Sequence, residues 1–223
     1  MVVDVLASGS SGNSYVISDK SGSQLLLECG IKYEKILPHI DFEKLTCLLV
    51  SHSHLWLDHS LCKNNFVDYF RVVSPENDVV GQPISIENWT VVPIQCYHNV
   101  DCFGYIIWNK NENKSILFCT DTRELPKIAD RHFDLMMLEC NYNYDKVIEN
   151  SRALRLPNDG YKNHLALETL TEWLSTRENK PTNLMAIHIS TNGNLDRELA
   201  QNELSKYAEN FYFAKKGVVL EIW

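Results

Sequence analysis

The segment "SHSHLWLDHS", residues 51–60, places three histidines and an aspartate within ten residues, directly after the apolar run "LTCLLV" at 45–50. Neutral imidazole and carboxylate are the usual nitrogen and oxygen ligands of divalent zinc, and they also suit manganese and iron. A short apolar run rich in aliphatic residues reads as a buried strand. Its histidines would therefore leave the sheet at one edge, where the backbone can hold ligands rigidly.

The remaining histidines extend the pattern. Of eight in the chain, five stand at or just after the ends of β-rich runs: His52, His54 and His59 after "CLLVS", His98 after "VVPIQCY", and His188 in "LMAIHIS". Asp121 follows "SILFCT" in the same way. A pair of metals needs an oxygen ligand able to bridge, and Asp121 could offer one oxygen to each ion where an imidazole cannot. Two ions ~3.5–4 Å apart lower the pKa of a shared water to about 7 and stabilise both attacking and leaving oxygens, so hydrolysis is the natural reaction. His39 in "LPHIDF" and His132 in "DRHFDL" lie away from such strand ends and read as structural.

Composition sets the frame. No linker or shift in composition divides the 223 residues, which predicts one domain spanning 1–223. With 29 acidic against 21 basic residues, the net charge of −8 argues against a general basic surface, although a local groove could still be positive. The chain contains no apolar stretch approaching ~20 residues, and "MVVDVLASGS" lacks the form of a signal peptide. A soluble, cytoplasmic protein that does not engage a membrane is expected, with room for a homo-oligomer. The seven cysteines are scattered without a C-x-x-C pair and sit in apolar runs, where a thiol behaves as a small buried hydrophobe.

Short β-rich runs fill the first half: "VVDVLA", "SYVIS", "QLLLECG", "CLLVSH", "RVVSP", "WTVVPIQCY", "FGYIIWN" and "SILFCTD". The second half brings "DLMMLEC", a helical stretch "HLALETLTEWLSTR", the strand "NLMAIHIS", a helix over "DRELAQNELSKYAE", and the strands "FYFAK" and "GVVLEIW". Two sheets with helices outside are predicted, an α+β arrangement.

The order "LASGSSGNSYVI", "LLLECGI", "SHSHLWLDH", "CYHNV…FGYII", "LFCTDT", "IHIS" resembles the metallo-β-lactamase superfamily along nearly the whole chain. The stretches "ECNY" at 139–142 and "NHLALET" at 163–169 are similar to those of its small single-domain bacterial and phage members related to exodeoxyribonucleases. The resemblance implies a four-layer αβ/βα sandwich with two divalent metals at one edge of the sheets, zinc first, with manganese and iron as alternatives. It further implies that His52, His54 and His98 hold one metal, that Asp58, His59 and His188 hold the other, and that Asp121 bridges them. Asp58 would orient the attacking hydroxide. His164, before a helix, would protonate a leaving oxygen or hold a phosphate, or else simply neighbour a helix cap.

Two departures stand out. The family spacing is H-x-H-x-D-H, whereas here Asp58 follows His54 by four residues, with "LWL" where one residue is usual. The extra residues either bulge out with both metals kept, weaken the second metal, or leave a degenerate site. Glu28 in "LLLECG" stands where the family carries an aspartate that supports ligand histidines, and is otherwise a surface turn residue.

Three further stretches have two readings each. "ASGSSGNS" could offer N–H groups to a phosphate or form a hairpin turn. The tyrosines and asparagines of "ECNYNYD" could contact a base or be plain loop residues. Arg152, Arg155 and Lys162 could meet a phosphate or be solvated. The expected function is a metal-dependent hydrolase of a phosphodiester in DNA, RNA or a cyclic nucleotide. The alternative is a non-catalytic or single-metal member of the fold that binds a nucleotide or a partner; hydrolysis of a thioester or lactam also stays open, because fold alone does not choose substrate.

Overall fold

Side chains alternate across a strand, so a strand buried on both faces must be apolar at nearly every position. That condition shapes this chain. The computed structural model describes residues 1–53, 62–154 and 160–223. One sheet runs β13 (Val219–Glu221), β1 (Val2–Ala7), β2 (Ser14–Ser18), β3 (Gln24–Leu27), β4 (Leu45–Leu49) and β5 (Arg71–Val73). The other runs β12 (Asn210–Phe213), β11 (Asn183–Ile187), β10 (Leu135–Glu139), β9 (Lys114–Cys119), β8 (Asp101–Asn109), β7 (Trp89–Tyr97) and β6 (Ile84–Ile86).

The two sheets meet face to face. Leu25 and Leu27 of β3 point into the shared core with Tyr15, Trp89, Tyr105, Phe118 and Met137, while Leu26 between them points outward to Leu48, Ile36 and Phe66. On the second sheet Met137 faces inward, and Met136 and Leu138 face outward to Leu170, Leu174 and Leu204. Apart from Leu48 of β4, those outer partners belong to α1 (Tyr33–Ile36) with the segment around Phe66 on one side, and to α3 (Leu167–Ser175) and α4 (Arg197–Leu204) on the other. Helix, sheet, sheet and helix thus form the layers of an α+β sandwich, as expected. All seven cysteines are free and buried. Among the described residues no helix is long and apolar enough to cross a membrane.

Parallel pairing brings strand ends together. β3, β4 and β5 run parallel in one sheet, and β9, β10, β11 and β12 in the other. Their C-terminal ends gather at one edge of the sandwich, and Phe103 N–H of β8 donates to Ser51 O across it. The helix α2 (Tyr144–Leu154) was not expected from the sequence. Its stretch "YDKVIENSRAL" carries charged or polar residues at most positions, with Val147 buried and Ile148 exposed, so few apolar residues announce it.

Candidate metal centre

Five residues ending or following strands converge at this edge. His52 lies two residues past β4 plus Val50, His98 follows β7, Asp121 follows Thr120 after β9, Glu139 ends β10, and His188 follows β11. Two of these turns are sharp, with φ of 52° at Asp121 and 51° at His188, and so is the one at Glu28 after β3, with 61°. A non-glycine residue held there costs on the order of 1–3 kcal/mol, and such strain gathers at functional sites. Here it swings the side chains off the strand ends toward one another.

Ligand atoms at this edge form two groups. His52, His98 and Asp121 each offer an atom within 4.8 Å of the others, and so do Asp121, His164 and His188. The first two histidines were expected together and so was His188 apart from them, with Asp121 common to both sets. His164 joins the second group. The four imidazoles follow one another, with centroids 4.9 Å apart for His52 and His98, 5.5 Å for His98 and His164, and 5.1 Å for the stacked His164 and His188. His54, Asp58 and His59, together with Trp56 and Leu57 of the unusual spacing, lie outside the described residues, as does Arg155.

Surrounding groups fix each ring. The His98 Nδ1–H donates to Asn163 O at 3.1 Å, which selects the tautomer with the lone pair on Nε2. His52 Nδ1 lies 2.8 Å from Ser51 Oγ. The Asn13 amide lies 2.8 Å from His188 Nδ1, while its Oδ1 accepts the Gly9 N–H. His188 N–H donates to Ser8 Oγ, and Asn141 Nδ2 donates to His188 O, so the strained residue is clamped from both sides. Asp121 accepts from Thr120 Oγ1 at 2.8 Å and lies 3.2 Å from His188 Nε2. His164 Nδ1 is 2.7 Å from Glu139 Oε1, and Glu139 Oε2 accepts the Thr122 N–H. Burial pushes the Glu139 carboxyl up to about 7, against the pull of His164.

This neighbourhood resolves several sequence readings. Glu28 is fully buried and its Oε1 accepts the Ser51 N–H beside His52, so it supports the ligand loop and is no surface turn residue. Asn141 and Asn143 are structural: Asn143 Oδ1 accepts the Asp196 N–H, and Tyr142 packs against Tyr161. Of the tyrosines and asparagines of that stretch only Tyr144 is exposed. Lys162 lies in the short 3-10 turn Gly160–Asn163 before His164. His39 pairs with Asp4 and His132 donates to Lys180 O, both away from the centre. Asn13 and Glu139 were not singled out beforehand. A carboxylate closing an otherwise apolar run, as in "LMMLE", is the signal that points to Glu139.

Similarity to solved structures agrees with this architecture. No protein-family model matches the chain, and no curated protein matches it. The metallo-β-lactamase fold protein YhfI from Bacillus subtilis is 16% identical at a TM-score of 0.71, with 98% of each chain covered. The chain has the metallo-β-lactamase fold. Zn(2+)-bound PqqB from Methylobacterium extorquens shares the arrangement at 14% identity and a TM-score of 0.73, covering 99% of this chain and 100% of that one. Human tRNase Z, short form, does so at 12% identity and a TM-score of 0.64, with 100% of both chains covered. At these identities the likeness concerns the metallo-β-lactamase fold alone.

Proposed function

We propose that the chain is a metal-dependent hydrolase of phosphodiesters, working with two divalent ions. The observation that carries this reading is the sharing of Asp121 between two donor groups, each otherwise imidazole. Zinc suits such nitrogen and oxygen donors, with manganese or iron as alternatives. His52 and His98 would hold one ion and His188 the other, with His54, Asp58 and His59 supplied from the segment after His52. When bound, such ions lower the pKa of a water and offset negative charge on phosphoryl oxygens. The similarity to a zinc-bound protein and to a tRNase supports the choice of metal and bond.

The chain's own residues supply the rest. Glu139 holds His164 by Nδ1, so Nε2 is the nitrogen that can hand a proton to a leaving oxygen. Asn13, Ser51 and Asn163 set the orientation of His188, His52 and His98, and the buried Glu28 fixes the backbone between β4 and His52. Hydrolysis of bis(p-nitrophenyl) phosphate tests the reading. Activity lost on chelation and regained with zinc or manganese supports it; no turnover with any of these metals, or turnover indifferent to chelation, overturns it.

A further inference from the structure

A groove of about 920 Å³ is lined by the end of β1, by Ser8 and Ser11 of the β1–β2 loop, and by residues of the segments 30–39 and 214–217. Its lining includes Lys32, Lys35, Arg197, Lys215 and Lys216, and no aspartate or glutamate. Among the described residues, five basic side chains and no acidic one therefore line one concavity in a molecule of net charge −8. All five side chains are exposed, and among the described residues none of them is in an ion pair. Arg197 is steadied by its guanidinium lying 5.5 Å from the centre of the Phe213 ring. The remaining titratable group of the lining, His39, is held by Asp4.

One residue, Ser8, links the groove to the centre. Ser8 lines the groove, and Ser8 Oγ accepts the backbone N–H of His188 at 2.9 Å. Ser11 and Gly30 add a hydroxyl and close backbone along the wall, while among the described residues no Phe, Tyr or Trp ring lines it. Cations and hydroxyls without a stacking platform read phosphates and not bases.

We propose that this groove binds the sugar-phosphate backbone of a single nucleic-acid strand that continues into the metal centre, so that the substrate is a polymer and not a cyclic nucleotide. The proposal rests on the phosphodiesterase reading above, and names the substrate class for it. Binding is then independent of base sequence and steeply weakened by salt, because each neutralised phosphate releases counterions.

Fluorescence anisotropy of the full chain with a phosphorothioate-linked oligodeoxythymidine of about twelve nucleotides, which resists cleavage, measures this directly. In the variant K32Q/K35Q/K215Q/K216Q, affinity at low salt should fall at least about tenfold, and the slope of log affinity against log salt should flatten by about 3. The variant K32R/K35R/K215R/K216R should bind as the wild type does, which separates lost charge from lost folding. A methylphosphonate-linked strand, with the same bases and no backbone charge, should not bind. Equal strand affinity in wild type and glutamine variant overturns the groove, as does polyglutamate binding as tightly as the strand. Turnover of bis(p-nitrophenyl) phosphate, a diester too small to need the groove, should be unchanged in the glutamine variant. Its absence in the wild type, with strand binding lost in the variant, would retire the hydrolase reading and leave the groove as a nucleic-acid surface.

Discussion

His164 donates from Nδ1 to Oε1 of Glu139 across 2.7 Å, at the fully buried end of β10. Burial raises the carboxyl to about 7, His164 opposes this, and the nearby Asp121 adds to it. A carboxylate in this position fixes both the orientation of an imidazole and the nitrogen that carries its proton.

Glu139→Gln keeps the shape and removes the charge. Turnover of a small diester should drop roughly 10- to 100-fold with little change in KM, since the pair positions a proton and does not bind substrate. Because the two residues act as a unit, the Glu139→Gln/His164→Ala double variant should be no slower than His164→Ala alone. Multiplied losses in kcat would show that Glu139 acts elsewhere.

Asp121→Asn separates ligation from folding. Asparagine tolerates the left-handed backbone that residue 121 adopts, so the melting temperature should stay within a few degrees of the wild type. Activity should fall by about two to three orders of magnitude, because both donor groups lose their shared anion. A collapse in melting temperature would instead make Asp121 a folding residue.

Much of this was legible in the sequence, for a physical reason. Strands buried on both faces are written as continuous apolar runs, and the runs "CLLVSH", "DLMMLEC" and "NLMAIHIS" overlap β4, β10 and β11. Histidines and an aspartate at such ends announced the centre. Supporting groups were harder to see: Asn13 hides in a glycine- and serine-rich loop that also suits a plain turn, and helix α2 carries few apolar residues. The basic groove gathers residues from positions 32 to 216, so no local run of charge reveals it.

Gly12 sits where no side chain fits. Its φ is 129°, and a Cβ there would lie 1.9 Å from Gly30 O. Gly12→Ala should cost at least about 2 kcal/mol in urea unfolding and disturb the neighbouring Asn13 amide that meets His188. Wild-type stability in this variant would contradict the close approach of the two loops.

Asp134 ties the starts of β9 and β10 together, far from the metal centre. Burial alone would raise its pKa, yet Lys114 at 2.8 Å and the Ser115 N–H and hydroxyl hold it below the ordinary carboxylate range. A depressed folded-state pKa gives stability that is present above the unfolded value of about 3.9 and lost as pH falls through the folded one. Asp134→Asn should therefore cost about 1–2 kcal/mol at pH 7, with the difference from wild type shrinking below about pH 4. A difference that does not depend on pH would place the effect in packing.

Metal content per chain, by plasma mass spectrometry of protein purified without chelator, bears most directly on the two donor groups around Asp121. Two equivalents are expected in the wild type, one in His98→Ala and one in His188→Ala, and none or a small residue in Asp121→Asn. A wild type without metal, or Asp121→Asn carrying the same two equivalents as the wild type, would contradict a shared bridging carboxylate.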